Sequence, residues 1–165
     1  MSKFSSLFSH VRDIMVLPFT VTCIVPYFII NKSDRIPESI SLKIAGIVTG
    51  VSGLILFFYT VFLFQTIGKG TLAPWSEKQK LVVEGPYRYC RNPMISGVFF
   101  ILIGEALFFH SQSILVWAIL FFIINTTYFL ISEEPALHKR FGKEYEQYKQ
   151  HVPRWIPRLR PYNRD

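Results

Sequence analysis

Cysteine is nearly missing from this chain, with only Cys23 and Cys90 in 165 residues. One lies in an apolar run and the other in a basic loop, which excludes a disulfide scaffold and a thiolate metal site. His10, His110, His138 and His151 share no ligand spacing, so no metal is expected. Glycine never gathers into a phosphate-cradling loop, and no alternation of strand and helix patterns supports a Rossmann-type cofactor domain. Charge is scarce as well, at 18% of residues against roughly 25% in ordinary soluble domains. Disorder and collagen are excluded by the same composition.

Hydrophobic residues take up the difference, at 50% of the chain with 16% aromatic and a mean hydropathy of +0.30. The 18 Lys and Arg outnumber 11 acids, for a net charge of +7. Such a surplus suggests nucleic acid when it shares one water-facing surface. Here the basic residues flank apolar runs, and a membrane is the expected partner instead.

A membrane-spanning helix needs about 20 mostly apolar residues. Residues 14–30 carry no charge and read as a first span despite Pro18 and Pro26, which membrane helices tolerate. No small-residue cleavage site follows, so a removable signal peptide is not expected. Residues 44–67 form the cleanest span, with Gly46, Gly50 and Gly53 as a seam of small residues suited to close helix contact. The run 94–132 is 39 residues long, too long for one helix. His110 to Ser113 interrupt it, so the pattern predicts a helical hairpin of about 94–109 and 114–131. The sequence therefore reads as one all-α, polytopic membrane domain of about four transmembrane helices. Counting Lys and Arg, 15 fall in the N-terminal tail, the 69–91 loop and the C-terminal segment, against 3 in the 32–43 loop. The positive-inside bias predicts cytoplasmic termini and a cytoplasmic long loop.

Beyond the fourth span, Leu137, Phe141, Tyr145 and Tyr148 form one apolar stripe on a charged segment. That pattern predicts an amphipathic helix lying at the membrane surface, continued by 152–157 as an interface-seeking strip. Glu133 and Glu134 end the fourth span, at the unfavourable pole of its dipole, or else occupy the first turn of a new helix capped by Ser132. Glu105 is a third acid, inside an apolar run, where a charged and lipid-facing carboxylate would cost a few kcal/mol. Gly85-Pro86 and Asn92-Pro93 bend the chain twice just before the third span, with Tyr87, Arg88, Tyr89 and Arg91 between them. These residues could serve as a rigid headgroup anchor, or their backbone amides and rings could hold a flat heterocycle.

The string Leu81-Val82, Gly85-Pro86-Tyr87-Arg88-Tyr89, Arg91-Asn92-Pro93-Met94 and Gly97, followed by Glu133-Glu134-Pro135, Phe141-Gly142, Tyr145, Tyr148 and Val152-Pro153, resembles the isoprenylcysteine carboxyl methyltransferase family and its relatives, the membrane phospholipid methyltransferases. The resemblance covers about 70–157. It implies an integral membrane enzyme that binds S-adenosylmethionine through the loop 69–93 and the segment 132–157 and methylates a lipophilic acceptor. By position it implies cofactor contacts from Gln79, Lys80, Leu81, Val82, Tyr87, Asn92, Pro93, Met94, Ile95 and Glu133, with Phe129 and Glu134 towards the acceptor. Two positions depart from the family. Asn92 stands where a histidine is usual, and Phe129 where the prenylcysteine enzymes place an arginine against the substrate carboxylate, so that substrate is not expected. Two other readings remain at this stage: a membrane reductase using a nicotinamide cofactor, to which the same C-terminal arrangement is similar, and a non-catalytic transport or assembly subunit.

Overall fold

The computed structural model describes residues 16–30, 37–67 and 81–163, and among these every regular element is helical. Helix α1 covers Val16–Ile29 and α2 covers Ile40–Ile67. A single 3₁₀ turn, Gly85–Arg88, leads into α3, Pro93–Phe108. Then come α4, Gln112–Tyr128, a π-helical turn Phe129–Glu133, α5, Glu134–Phe141, and α6, Lys143–His151. Two helices are long and apolar enough to cross a membrane, α2 and the continuous run Gln112–Phe141, while α1 and α3 are shorter apolar helices.

The glycine seam organises the packing of α2 on α3. A Cβ on Gly46 would sit 2.8 Å from the Gly104 carbonyl oxygen, one on Gly53 2.7 Å from that of Gly97, and one on Gly104 2.6 Å from the Gly50 Cα. At these positions backbone meets backbone. On its other flank α3 meets α4, joined to it through Phe109–Ser111, where His110 takes φ +54° and its ring accepts the Ser39 amide at 3.0 Å. Phe57, Val98, Leu102, Ala118 and Phe121 fill the core among these three helices. Polar groups inside this apolar body turn back on their own helices. Thr60 donates to the Leu56 and Phe57 carbonyls, and Asn125 to that of Phe121, as an environment without water requires.

Pro26 and Pro135 share one local device. Each is the second residue after a π turn, Thr20–Ile24 in α1 and Phe129–Glu133 after α4. Proline offers no N–H, and its ring presses on the carbonyl four residues back. The widened turn, in which Glu134 N–H reaches back five residues to the Phe129 carbonyl, relieves that conflict without ending the helix. The helix therefore runs through Ser132, which caps nothing.

The surface-lying amphipathic helix takes a different form from the one its stripe predicts. Gly142, at φ +50°, divides it into α5 and α6. The stripe of Leu137, Phe141, Tyr145 and Tyr148 faces inward, packed with Val152, Leu81, Val83 and Tyr162. Tyr145 and Tyr148 are buried against the chain's own loop and tail, and Leu137 and Phe141 are half-buried beside them. Residues 152–162 likewise fold back on the loop: Arg91 N–H donates to Pro153 O at 2.9 Å, Arg158 N–H to Tyr89 O and Tyr162 N–H to Arg88 O, both at 3.0 Å. The result is a polar cap of loop, α5, α6 and tail over one end of the helical body.

Candidate functional site

The cap is organised around Glu134. Arg91 Nη1 donates to its Oε1 at 3.0 Å, Arg154 donates to the same oxygen through Nη2 at 2.7 Å and Nε at 2.8 Å, and Lys149 Nζ reaches Oε2 at 2.9 Å. The residue is only 6% exposed, while Lys149 reaches it from the water-facing edge. Burial pushes its carboxyl upward, but hydrogen bonds from Lys149 and Arg154 and the charges of Arg91 and Arg154 prevail and hold it below the usual glutamate range. Arg91 also donates to the Tyr145 hydroxyl at 3.2 Å. One carboxylate thus joins the loop before α3, helix α6 and the tail.

The site residues expected from sequence fall into three groups. Gln79 and Lys80 lie outside the described residues. Leu81, Val82 and Tyr87 have their side chains engaged by the protein. Leu81 lies against the α6 stripe, and Val82 and Tyr87 are buried with Phe64 at the end of α2. Burial raises the Tyr87 phenol above its ordinary range, and the Tyr87 carbonyl accepts the Tyr148 hydroxyl at 2.7 Å. The third group meets at the start of α3. Asn92 precedes it without making a side-chain cap, Pro93 fills its first position, and Met94 and Ile95 expose part of their side chains beside the core. Arg91 beside Asn92 and Glu134 beside Glu133 are hydrogen-bonded, which brings the half-buried Glu133 and the π turn to the same end of the body.

A feature absent from the sequence reading is a half-open cavity of about 460 Å³ beneath the 3₁₀ turn. Leu56 and Tyr59 of α2, Tyr89 and Cys90 just after the turn, Ser96 and Phe100 of α3, and Trp155 of the tail line it, and no charged side chain among the described residues does. Its rim belongs to the outer flanks of α2 and α3, where Tyr59 and Phe100 are exposed. Trp155 also packs at a tilt on Phe122, ring centroids 4.8 Å apart, and meets Phe129 edge-on at 6.3 Å, so the expected acceptor residue supports a wall of the cavity. Burial pushes the Cys90 thiol up to about 11, against a small lowering from a backbone hydrogen bond with Asn92, which leaves it protonated at neutral pH. Arg91, Arg154 and Trp155 carry much of this architecture, and only Arg91, inside the Arg-Asn-Pro motif, had a signal that sequence reasoning could have used. Glu105 lies half-buried on α3, and its Oε2 finds no hydrogen-bond partner among the described residues.

Two helices long and apolar enough to cross a membrane, bearing a charged cap, suit a membrane protein. Residues 42–144, more than half of the chain, match the sequence profile of the phospholipid methyltransferase family. The chain belongs to that family, which points to a membrane methyltransferase. No curated protein matches it.

Proposed function

We propose that this protein is a four-span enzyme with cytoplasmic termini that transfers a methyl group from S-adenosylmethionine to a lipophilic acceptor reaching it sideways from the bilayer. The observation that carries the reading is the uncharged, half-open cavity next to the start of α3, where Asn92, Pro93, Met94 and Ile95 gather. An α-helix that begins without a side-chain cap presents its first-turn amides, at Met94 and Ile95, to an anion, and this suits the carboxylate of an amino-acid-derived cofactor. Glu133, half-buried on the π turn, suits a ribose diol or an amino group. With Gln79, Lys80, Leu81, Val82 and Tyr87 these residues would form the cofactor's surroundings, Val82 and Tyr87 through their backbone because their side chains are enclosed. The cofactor supplies a methyl carbon on a positively charged sulfur. The protein's part is alignment: to hold the acceptor's nucleophile in line with that carbon and keep water out.

Glu134 has both carboxylate oxygens occupied by cations, so we assign it to positioning Arg91 and Arg154, and through them Asn92 and Trp155, instead of to direct acceptor contact. Phe129 offers an apolar wall backed by Trp155. An acceptor without a carboxylate at its reacting end follows, with an amine or thiol headgroup favoured over a prenylcysteine acid.

The reading is tested by calorimetry of the detergent-purified protein with S-adenosylmethionine and with NADPH. Binding of the first alone supports it, and binding of NADPH alone overturns it. Glu133→Gln should weaken cofactor binding by about 1.5–3 kcal/mol, roughly ten- to a hundredfold, while the exposed Glu84→Gln leaves it unchanged. Unchanged affinity in Glu133→Gln removes that residue from the site. Presented with amine-headed lipids and a farnesylcysteine derivative, the enzyme should methylate the former, and efficient esterification of the latter would refute the role given to Phe129.

A further inference from the structure

From Val152 to Asn163 the chain carries three arginines and no acid. Its backbone is pinned to 88–92 by the hydrogen bonds described above, so the strip holds a fixed course beside the loop. Trp155 and Pro157 face the cavity. Ile156, between them, is 80% exposed, and Leu159 is 100% exposed. Arg154 is engaged by Glu134, whereas Arg160 is exposed beside Leu159 and the Arg158 guanidinium donates to the His151 carbonyl at 3.0 Å. A single bare aliphatic side chain on a protein surface needs no explanation. Two of them on a pinned strip, flanked by arginines and at the rim of a cavity, call for one.

The rim fixes the level of the strip. Opposite Trp155 and Pro157 stand Tyr59 and Phe100, on the exposed apolar flanks of α2 and α3. Ile156 therefore lies where the apolar surface of the helical body gives way to the polar cap, the height at which hydrocarbon gives way to headgroups. Aliphatic side chains at that height enter the acyl region, while arginines beside them reach lipid phosphates and favour a leaflet of negative charge.

We propose that Ile156 and Leu159 insert into the cytoplasmic leaflet while Arg158 and Arg160 engage anionic headgroups, making the tail an anionic-lipid docking strip at the mouth of the cavity. The inference stands on exposure, backbone pinning and charge, and does not depend on the methyl-transfer reading. It also replaces the inward-turned stripe of α5 and α6 as the cap's membrane contact.

The test uses full-length protein in nanodiscs, with a bimane label on Leu159→Cys in a Cys23→Ser background. Cys90 is buried and protonated, so it escapes brief labelling at neutral pH. In discs of phosphatidylcholine with phosphatidylglycerol, lipids brominated near the headgroup end of the chain should quench the label at least twofold, and iodide should not. A label on Lys143→Cys, an exposed position of α6, should give the reverse. Charge reversal by Arg158→Glu with Arg160→Glu should cut the bromolipid quenching several-fold, as should discs of phosphatidylcholine alone. Strong iodide quenching at 159 in anionic discs would overturn the insertion. Equal bromolipid quenching in neutral and anionic discs would overturn the lipid class.

Discussion

Removing the charge of Glu134 leaves Arg91 and Arg154 facing each other in a space that excludes water, with Lys149 at its edge. Breaking a buried pair from one side costs about 3 kcal/mol, more than any surface ion pair returns. Glu134→Gln should therefore loosen the tail, read as faster proteolysis after Val152 and a lower unfolding temperature, with Glu84→Gln as an inert control. The pH dependence has a definite sign. Because the folded carboxyl is held below its unfolded value of about 4.3, its contribution is complete above that pH and lost as the pH falls through the depressed value. The cap should stay closed from pH 8 to about pH 5 and open only in stronger acid. Opening near pH 6 would show that another group governs it. The importance of the glutamate pair is legible in the sequence, since two acids at the end of an apolar run need a reason. Their division of labour is not. Glu134 meets Arg91, 43 positions earlier, and Arg154, 20 later, and pairings that distant follow from the fold and leave no periodic trace.

At the scale of the helix, the glycines of α2 and α3 make graded predictions. A methyl group on Gly50 meets nothing closer than the Gly104 Cα at 3.8 Å, so Gly50→Ala should be tolerated. On Gly104 the methyl would stand 2.6 Å from the Gly50 backbone, and the helices must separate to admit it. Overpacking of that kind costs about 1–3 kcal/mol. Gly104→Ala should lower the unfolding temperature where Gly50→Ala does not, and equal effects would show that α2 and α3 are not in backbone contact. The seam on α2 is readable because glycine spacing is local. Two other features of the helices escape sequence reasoning. The stripe of α5 and α6 has the periodicity of a membrane-lying helix, yet periodicity records that a face is apolar and says nothing of what covers it; here Leu81, Val83 and Tyr162 do. The π turn is hidden for a different reason. A proline announces a break, but the widened turn at Phe129–Glu133 absorbs it, and Phe129 and Glu133 are no longer stacked one regular turn apart as an unbroken α-helix would have them.

For the whole molecule, the asymmetry of 15 basic residues against 3 predicts that the cap faces the cytoplasm. Reporter fusions after His110 and after Asp165 should fall on opposite sides of the membrane, and a shared side would exclude the reading of 94–131 as two spans. The cap also imposes an order on biosynthesis. Its loop, 81–92, leaves the ribosome before α3 and α4, but the tail partners that fix it, Pro153, Arg154, Arg158 and Tyr162, are made only after both. While the helices are being inserted, Arg91 has no counter-charge and the Arg88 and Tyr89 carbonyls have no donors from the tail. A released chain truncated after Phe141 should carry its apolar helices in place and still fail to protect this loop from protease. Competence would then arrive in one step, when residues 153–162 emerge and close over a loop that has waited for them while both intervening helices were made.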